Sequence, residues 1–156
     1  MLFVTRLDDR AKMPTCNLPG EDLGFDVYAL EDIEVSPHDV VKIRTGITAQ
    51  YAPCGDHPEW TGGARYGLII KDRGSVALTG LFTVAGVFDA SYTGEILILF
   101  RNVSQAIIDV RMGQKIAQMI PVLVRTGCRI KEVDKLPYQT RGSASFGSSD
   151  CPKESS

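Results

Sequence analysis

The 156-residue chain has little with which to grip a large charged partner, because its formal net charge is only −2. Bulk electrostatic binding of nucleic acid needs a strongly basic face, so that class of partner is not expected. An anionic ligand would have to be met by a few local cations or backbone amides. No stretch approaches 18 consecutive apolar residues, so no segment is expected to span a membrane. The opening Met1-Leu2-Phe3-Val4-Thr5-Arg6 is too short and too soon charged for a signal peptide. The four cysteines, at 16, 54, 128 and 151, form no CxxC pair. A chain of this length needs no disulfide framework, so they read as reduced thiols in a cytoplasmic protein. Cys54-Gly55-Asp56-His57 has the spacing of half a zinc site, but with His38 the one other histidine no second half stands elsewhere. Helical periodicity is almost absent too.

What recurs instead is short apolar stretches rich in Val, Ile, Phe and Tyr, separated by Gly, Pro and Asp. Candidate strands are 2–7, 25–29, 33–35, 39–45, 47–51, 66–70, 81–84, 95–102, 106–110, 115–124 and 130–133, with one helix-compatible turn or two over 75–79. That pattern predicts an all-β domain, a sandwich or barrel, over residues 1–136. Ile96-Leu97-Ile98-Leu99-Phe100 is apolar on both faces and is expected at a sheet centre, covered on both sides by a thick sandwich or a second subunit. The stretch 52–64 around the single Trp60 reads as an exposed loop, with the indole packed back on the body. From 137 to 156 the composition turns Gly/Ser-rich, a flexible tail that cannot bury enough apolar surface to order by itself. Arg141 and Phe146 are out of place in a mere linker and suggest a segment that orders on a ligand: a cation for anionic oxygens, a ring for a base, with Gly147, Ser148 and Ser149 as donors.

The most informative stretch is Ala85-Gly86-Val87-Phe88-Asp89-Ala90-Ser91-Tyr92-Thr93-Gly94-Glu95, between two apolar runs. Gly86 and Gly94 supply either a positive φ or a close backbone approach. Asp89 between them can orient and deprotonate a water, and Tyr92 can pack on a sugar or base. An ordinary turn, with Asp89 as turn former and Tyr92 as a half-buried strand residue, is the better account of this stretch when it is taken alone.

Three further segments join it: Pro19 to Ala29, Lys71-Asp72-Arg73-Gly74-Ser75-Val76-Ala77, and Gly113-Gln114-Lys115-Ile116-Ala117-Gln118-Met119-Ile120. With the 85–95 stretch and the tail they make five motifs in order over residues 19–149, and together they resemble those of the trimeric dUTP pyrophosphatases (dUTPases), in the superfamily that also holds dCTP deaminases. The resemblance implies a jelly-roll β fold and a homotrimer with active sites shared between subunits. It implies hydrolysis of dUTP to dUMP and pyrophosphate by water attack on the α-phosphorus, with Mg²⁺ on the triphosphate. In that scheme Asp89 is the general base. Main-chain groups of Gly86, Val87 and Phe88 hold the uracil, and Tyr92 packs on the deoxyribose and excludes a 2′-hydroxyl. Arg73, Gly74, Ser75, Gln118 and Arg141 meet the phosphates, Phe146 stacks on the base, and Gly147 and Ser148 complete the closing tail. Asp26 reaches the metal through water. Asp26 also reads as a turn-capping residue at a strand edge, and Gln118 as an edge-strand polar residue.

The family's second motif usually has a serine directly after the arginine, where this chain has Gly74. Ser75, or the Gly74 amide, would have to make that contact. Cytosine deamination needs a proton-shuttling glutamate on the strand after the 85–95 stretch, in the position Leu99 occupies. A deaminase is therefore disfavoured. A non-catalytic nucleotide-binding regulator is disfavoured by the joint presence of Arg73, Asp89, Arg141 and Phe146.

Overall fold

The computed structural model describes residues 1–51, 64–125 and 129–134. Within them run β1 (Leu2–Arg6), β2 (Phe25–Tyr28), β3 (Ile33–Val35), β4 (Val40–Arg44), β5 (Ile47–Tyr51), β6 (Ala64–Asp72), α1 (Gly74–Ala77), β7 (Leu81–Thr83), β8 (Val87–Phe88), β9 (Leu97–Asn102), β10 (Ile108–Val110) and β11 (Lys115–Arg125). The body is all-β, as the alternation of apolar stretches and turn residues predicts, and jelly-roll-like, as the family resemblance implies, with one short helix. All strand pairing is antiparallel, in sheets ordered β1-β5, β10-β3, β2-β11-β6-β8 and β4-β9-β7.

Alternation along the strands builds one core. Val27, Val35, Ile43, Ile47, Leu81, Ile96, Ile98, Phe100, Val110, Ile116 and Met119 are each at most 1% exposed. Burying a side chain of this size is worth about 1.5–3 kcal/mol, so together these residues contribute a large favourable term to folding. The buried polar Asn102 is fully satisfied. Its Nδ2 donates to Val35 O at 2.9 Å and Ala106 O at 2.7 Å, and its Oδ1 accepts from Ser104 N at 2.8 Å.

Two expectations are revised. Residues 130–133 form no strand; Ile130 is wholly exposed and Val133 45% exposed. One period of alternation is too short a signal, and among the described residues no strand offers that segment a ladder. The 96–100 run does sit centrally, as β9 between β4 and β7, but only one of its faces is covered. Ile98 and Phe100 are buried, whereas Leu99 on the other face is 36% exposed. A thick sandwich within one chain is not what covers it. The stretch around Trp60 and the 137–156 tail lie outside the described residues.

Candidate active site

Two groups of predicted site residues assemble on opposite edges of the β2-β11-β6-β8 sheet. At one edge β8 leaves the β7–β9 hairpin and pairs instead with β6, Leu68 opposite Phe88 and Ile69 opposite Val87. The crossing is fastened by Ile70 N donating to Gly86 O at 2.7 Å. Gly86 permits it through space, not through backbone conformation, since its φ is not positive. A Cβ there would stand 2.8 Å from Ile70 Cβ and 2.9 Å from Ile70 O. Of the two roles open to this glycine in the sequence, close approach is the one used.

Beyond β8 the chain turns at Asp89, with Tyr92 N donating to Asp89 O at 3.0 Å. Asp89 is exposed, and among the described residues no side chain bonds its carboxylate. It lines a shallow cleft of about 270 Å³ together with Gly86, Val87, Phe88, Tyr92, Leu97 and Leu99. A carboxylate at the rim of an otherwise apolar cleft is free to accept a proton from water. The Tyr92 ring meets Phe88 edge-on, centroids 5.2 Å apart.

The other group centres on Asp26, the one buried acid among the described residues. Its Oδ2 lies 2.7 Å from Lys115 Nζ and its Oδ1 3.3 Å from Arg73 Nε. Arg73 Nη1 also donates to Ser75 Oγ. Gln118 stands directly opposite Asp26 in the β11–β2 ladder. Regular alternation would put Lys115 and Gln118, three residues apart, on opposite faces. A register shift between Lys115 and Ala117 brings both to Asp26. Two cations on one carboxylate leave a net positive charge, suited to phosphate oxygens. The hydrogen bond to Asp26 raises the Lys115 pKa above its ordinary value of 10.5, so the ammonium stays charged at neutral pH. Arg73, one-third exposed, has room to turn toward a ligand.

The chain as a whole matches a known family. The dUTPase family model matches residues 9–150. The chain belongs to the dUTPase family. It is 34% identical over 150 residues to the deoxyuridine 5′-triphosphate nucleotidohydrolase of Picosynechococcus sp., covering 94% of this chain and 96% of that one. The Saccharomyces cerevisiae enzyme of the same name is 32% identical over 125 residues, covering 80% and 78%. In fold it is similar to a Staphylococcus bacteriophage 80alpha dUTPase variant solved with dUpNHpp, at TM-score 0.78, 24% identity and coverage of 96% and 98%. A phage phi11 dUTPase variant whose structure concerns a structural Mg(II) ion superimposes with TM-score 0.70 at 22% identity, covering 88% and 99%.

As a dUTPase family member the chain keeps its two groups apart. From β2 to β8 is three strand spacings, roughly 14 Å, so Asp26 does not meet Asp89 and Tyr92 at the sheet's far edge, and Arg73, which reaches Asp26, lies four residues beyond Ile69, the last β6 position paired with β8. Gly74 leaves open space, since a Cβ there would meet nothing within 4 Å beyond its chain neighbours and its own helical turn, and the nearby hydroxyl is that of Ser75. Arg141, Phe146, Gly147 and Ser148 lie outside the described residues. Sequence reasoning missed Lys115, whose placement depends on the β11 bulge. It also missed Glu95, whose carboxylate accepts from Gly46 N at 2.8 Å and from Arg44 Nε at 3.2 Å. Gly-Glu after an aromatic was the one available signal for the latter.

The donor set can be tested against a magnesium ion. Among the described residues no three His, Cys, Asp or Glu side chains cluster, so those residues build no protein cage. Both oxygens of Asp26 are already engaged by Lys115 and Arg73, so it fits an ion carried by substrate phosphates only as a partner reached through water, not as a direct ligand.

Proposed function

We propose that this chain hydrolyses dUTP to dUMP and pyrophosphate, with water attacking the α-phosphorus. The observation that carries the reading is Asp89, a carboxylate without a partner among the described residues, held by a glycine-dependent strand crossing at the rim of a cleft walled by Phe88, Tyr92 and Leu99. Asp89 orients the water and takes its proton. The main chain from Gly86 to Phe88 meets the uracil edge, and Tyr92 packs on the deoxyribose. Arg73, Gly74, Ser75 and Gln118 receive the phosphates, with Lys115 balancing Asp26. Positioning and charge neutralisation are almost all a protein contributes to phosphoryl transfer. Magnesium, when bound on the triphosphate, supplies further neutralisation, and Asp26 is the residue that would hold it through water. Arg141, Phe146, Gly147 and Ser148 of the tail would complete the site.

The distance between the two groups favours a site shared between subunits, one subunit's Asp89 edge facing another's Asp26 edge, in the homotrimer that the family resemblance implies. The half-covered face of β9, with Leu99 open, suits the same assembly. Leu99 lines the Asp89 cleft, and a leucine there cannot shuttle protons to cytosine. A cytoplasmic setting accords with the reduced-thiol reading. The test is incubation with dUTP, dCTP, dTTP and UTP plus Mg²⁺, scoring pyrophosphate and ammonia separately. Pyrophosphate from dUTP alone is expected; ammonia from dCTP would overturn the assignment. Sedimentation of the purified protein as a single chain would overturn the shared site.

A further inference from the structure

We infer that Gly94 and Gln50 set the sugar specificity of this site by immobilising the Tyr92 ring, an inference that rests on the reading of Tyr92 as the wall against the deoxyribose. A hydrogen and a hydroxyl at C2′ differ by a single atom. An apolar wall discriminates weakly against an added hydroxyl, about a hundredfold, and only as far as the wall refuses to give way. The contacts around Tyr92 are those of a wall that cannot.

Its phenolic hydroxyl donates to Glu95 O at 2.9 Å, folding the ring back across its own turn. The hydroxyl end of the ring lies against Gly94. A Cβ at 94 would stand 2.5 Å from the phenolic oxygen, 2.7 Å from Cζ and 3.3 Å from Cε2. Gly94 does not have a positive φ, so the backbone does not ask for glycine there. The ring asks for it. From the far side Gln50, exposed on β5, donates its amide to Tyr92 O at 3.2 Å and Ala90 O at 3.4 Å. The end of the turn is anchored separately. Glu95 holds Gly46 N and Arg44, Ile96 N donates to Ile47 O at 2.8 Å, and Thr45 Oγ1 donates to Ile96 O at 2.6 Å. With that anchor in place and Phe88 edge-on against the ring, positions 94 and 50 govern the freedom that remains to it. An alanine at 94 forces the ring off its rotamer and breaks the hydroxyl's bond to Glu95. An alanine at 50 releases the turn's carbonyls.

The experiment compares kcat/KM for dUTP and for UTP in the full chain and in Gly94→Ala, Gln50→Ala and Tyr92→Val, with thermal unfolding of each. Gly94→Ala and Gln50→Ala should each lower the dUTP-over-UTP ratio about tenfold, part of the roughly hundredfold an apolar wall can supply. A purely structural role would lower both activities together and leave the ratio unchanged. A parent ratio in one variant removes that residue from the proposal, and a parent ratio in both overturns it. Should Gly94→Ala not fold, Gln50→Ala decides, since its side chain is exposed. If Tyr92→Val itself keeps the parent ratio, it is the assignment of Tyr92 to the sugar that fails.

Discussion

Replacing Gly86 by alanine tests the strand crossing on which the Asp89 cleft depends. The added methyl would sit 2.8 Å from Ile70 Cβ and 2.9 Å from Ile70 O, and neither is a movable side-chain tip. Ile70 is 3% exposed in the middle of the β6 ladder, so the yielding partner must be the 85–88 backbone. Overpacking of this kind costs about 1–3 kcal/mol. The same movement stretches the 2.7 Å bond from Ile70 N to Gly86 O, a further 0.5–1.5 kcal/mol or so. A total of about 2–4 kcal/mol, at about 2–4 °C per kcal/mol for a chain of this length, lowers Tm by roughly 5–15 °C. The control is the same substitution at Gly74, where a Cβ meets nothing within 4 Å and φ is not positive. There alanine narrows the unfolded ensemble and should stabilise by about 0.4–1 kcal/mol. Calorimetric melting of both variants beside the parent, with dUTP hydrolysis measured below the transition, reads the contrast. Equal melting temperatures for the Gly86 and Gly74 variants would refute the close approach, and with it the account of how β8 is placed.

Asp89→Asn should retain nucleotide binding while losing turnover by at least the factor of about 10²–10⁴ that general-base catalysis supplies; unchanged pyrophosphate release would remove Asp89 from the mechanism. Because its folded pKa is raised by Asp26, Lys115 contributes stability that is complete below 10.5 and fades as pH climbs through the higher folded value. Lys115→Met should therefore lack that part of the alkaline decline, and parallel Tm curves for parent and variant above pH 10.5 would sink the ion-pair argument. Removal of residues 137–156 should leave a cooperatively melting protein with little activity; unfolding would show that the tail belongs to the core. Phe100→Ala, at a wholly buried position, should cost about 3–5 kcal/mol, read as a shifted denaturant midpoint.

Much of this protein is written in local pattern. Period-two alternation of branched and aromatic residues, broken by Gly, Pro and Asp, is enough to call for an all-β body, because each strand needs only its own residues to declare a buried face. The order of five short motifs carried the family resemblance, and with it Arg73, Asp89, Tyr92 and Gln118 as candidates. What sequence could not declare is whatever depends on a second strand. The departure of β8 from its hairpin is decided by how near Ile70 lets a backbone come. Lys115 joins Asp26 only because β11 slips register by a residue, which inverts the face that alternation assigns. The failed strand at 130–133 had pattern but, among the described residues, no ladder to join. Gly86 and Gly94 look alike as turn residues, yet one makes room for a neighbouring strand and the other for a ring two residues earlier. Backbone preference is a property of the residue; room is a property of what packs against it, and that exists only after the chain has folded.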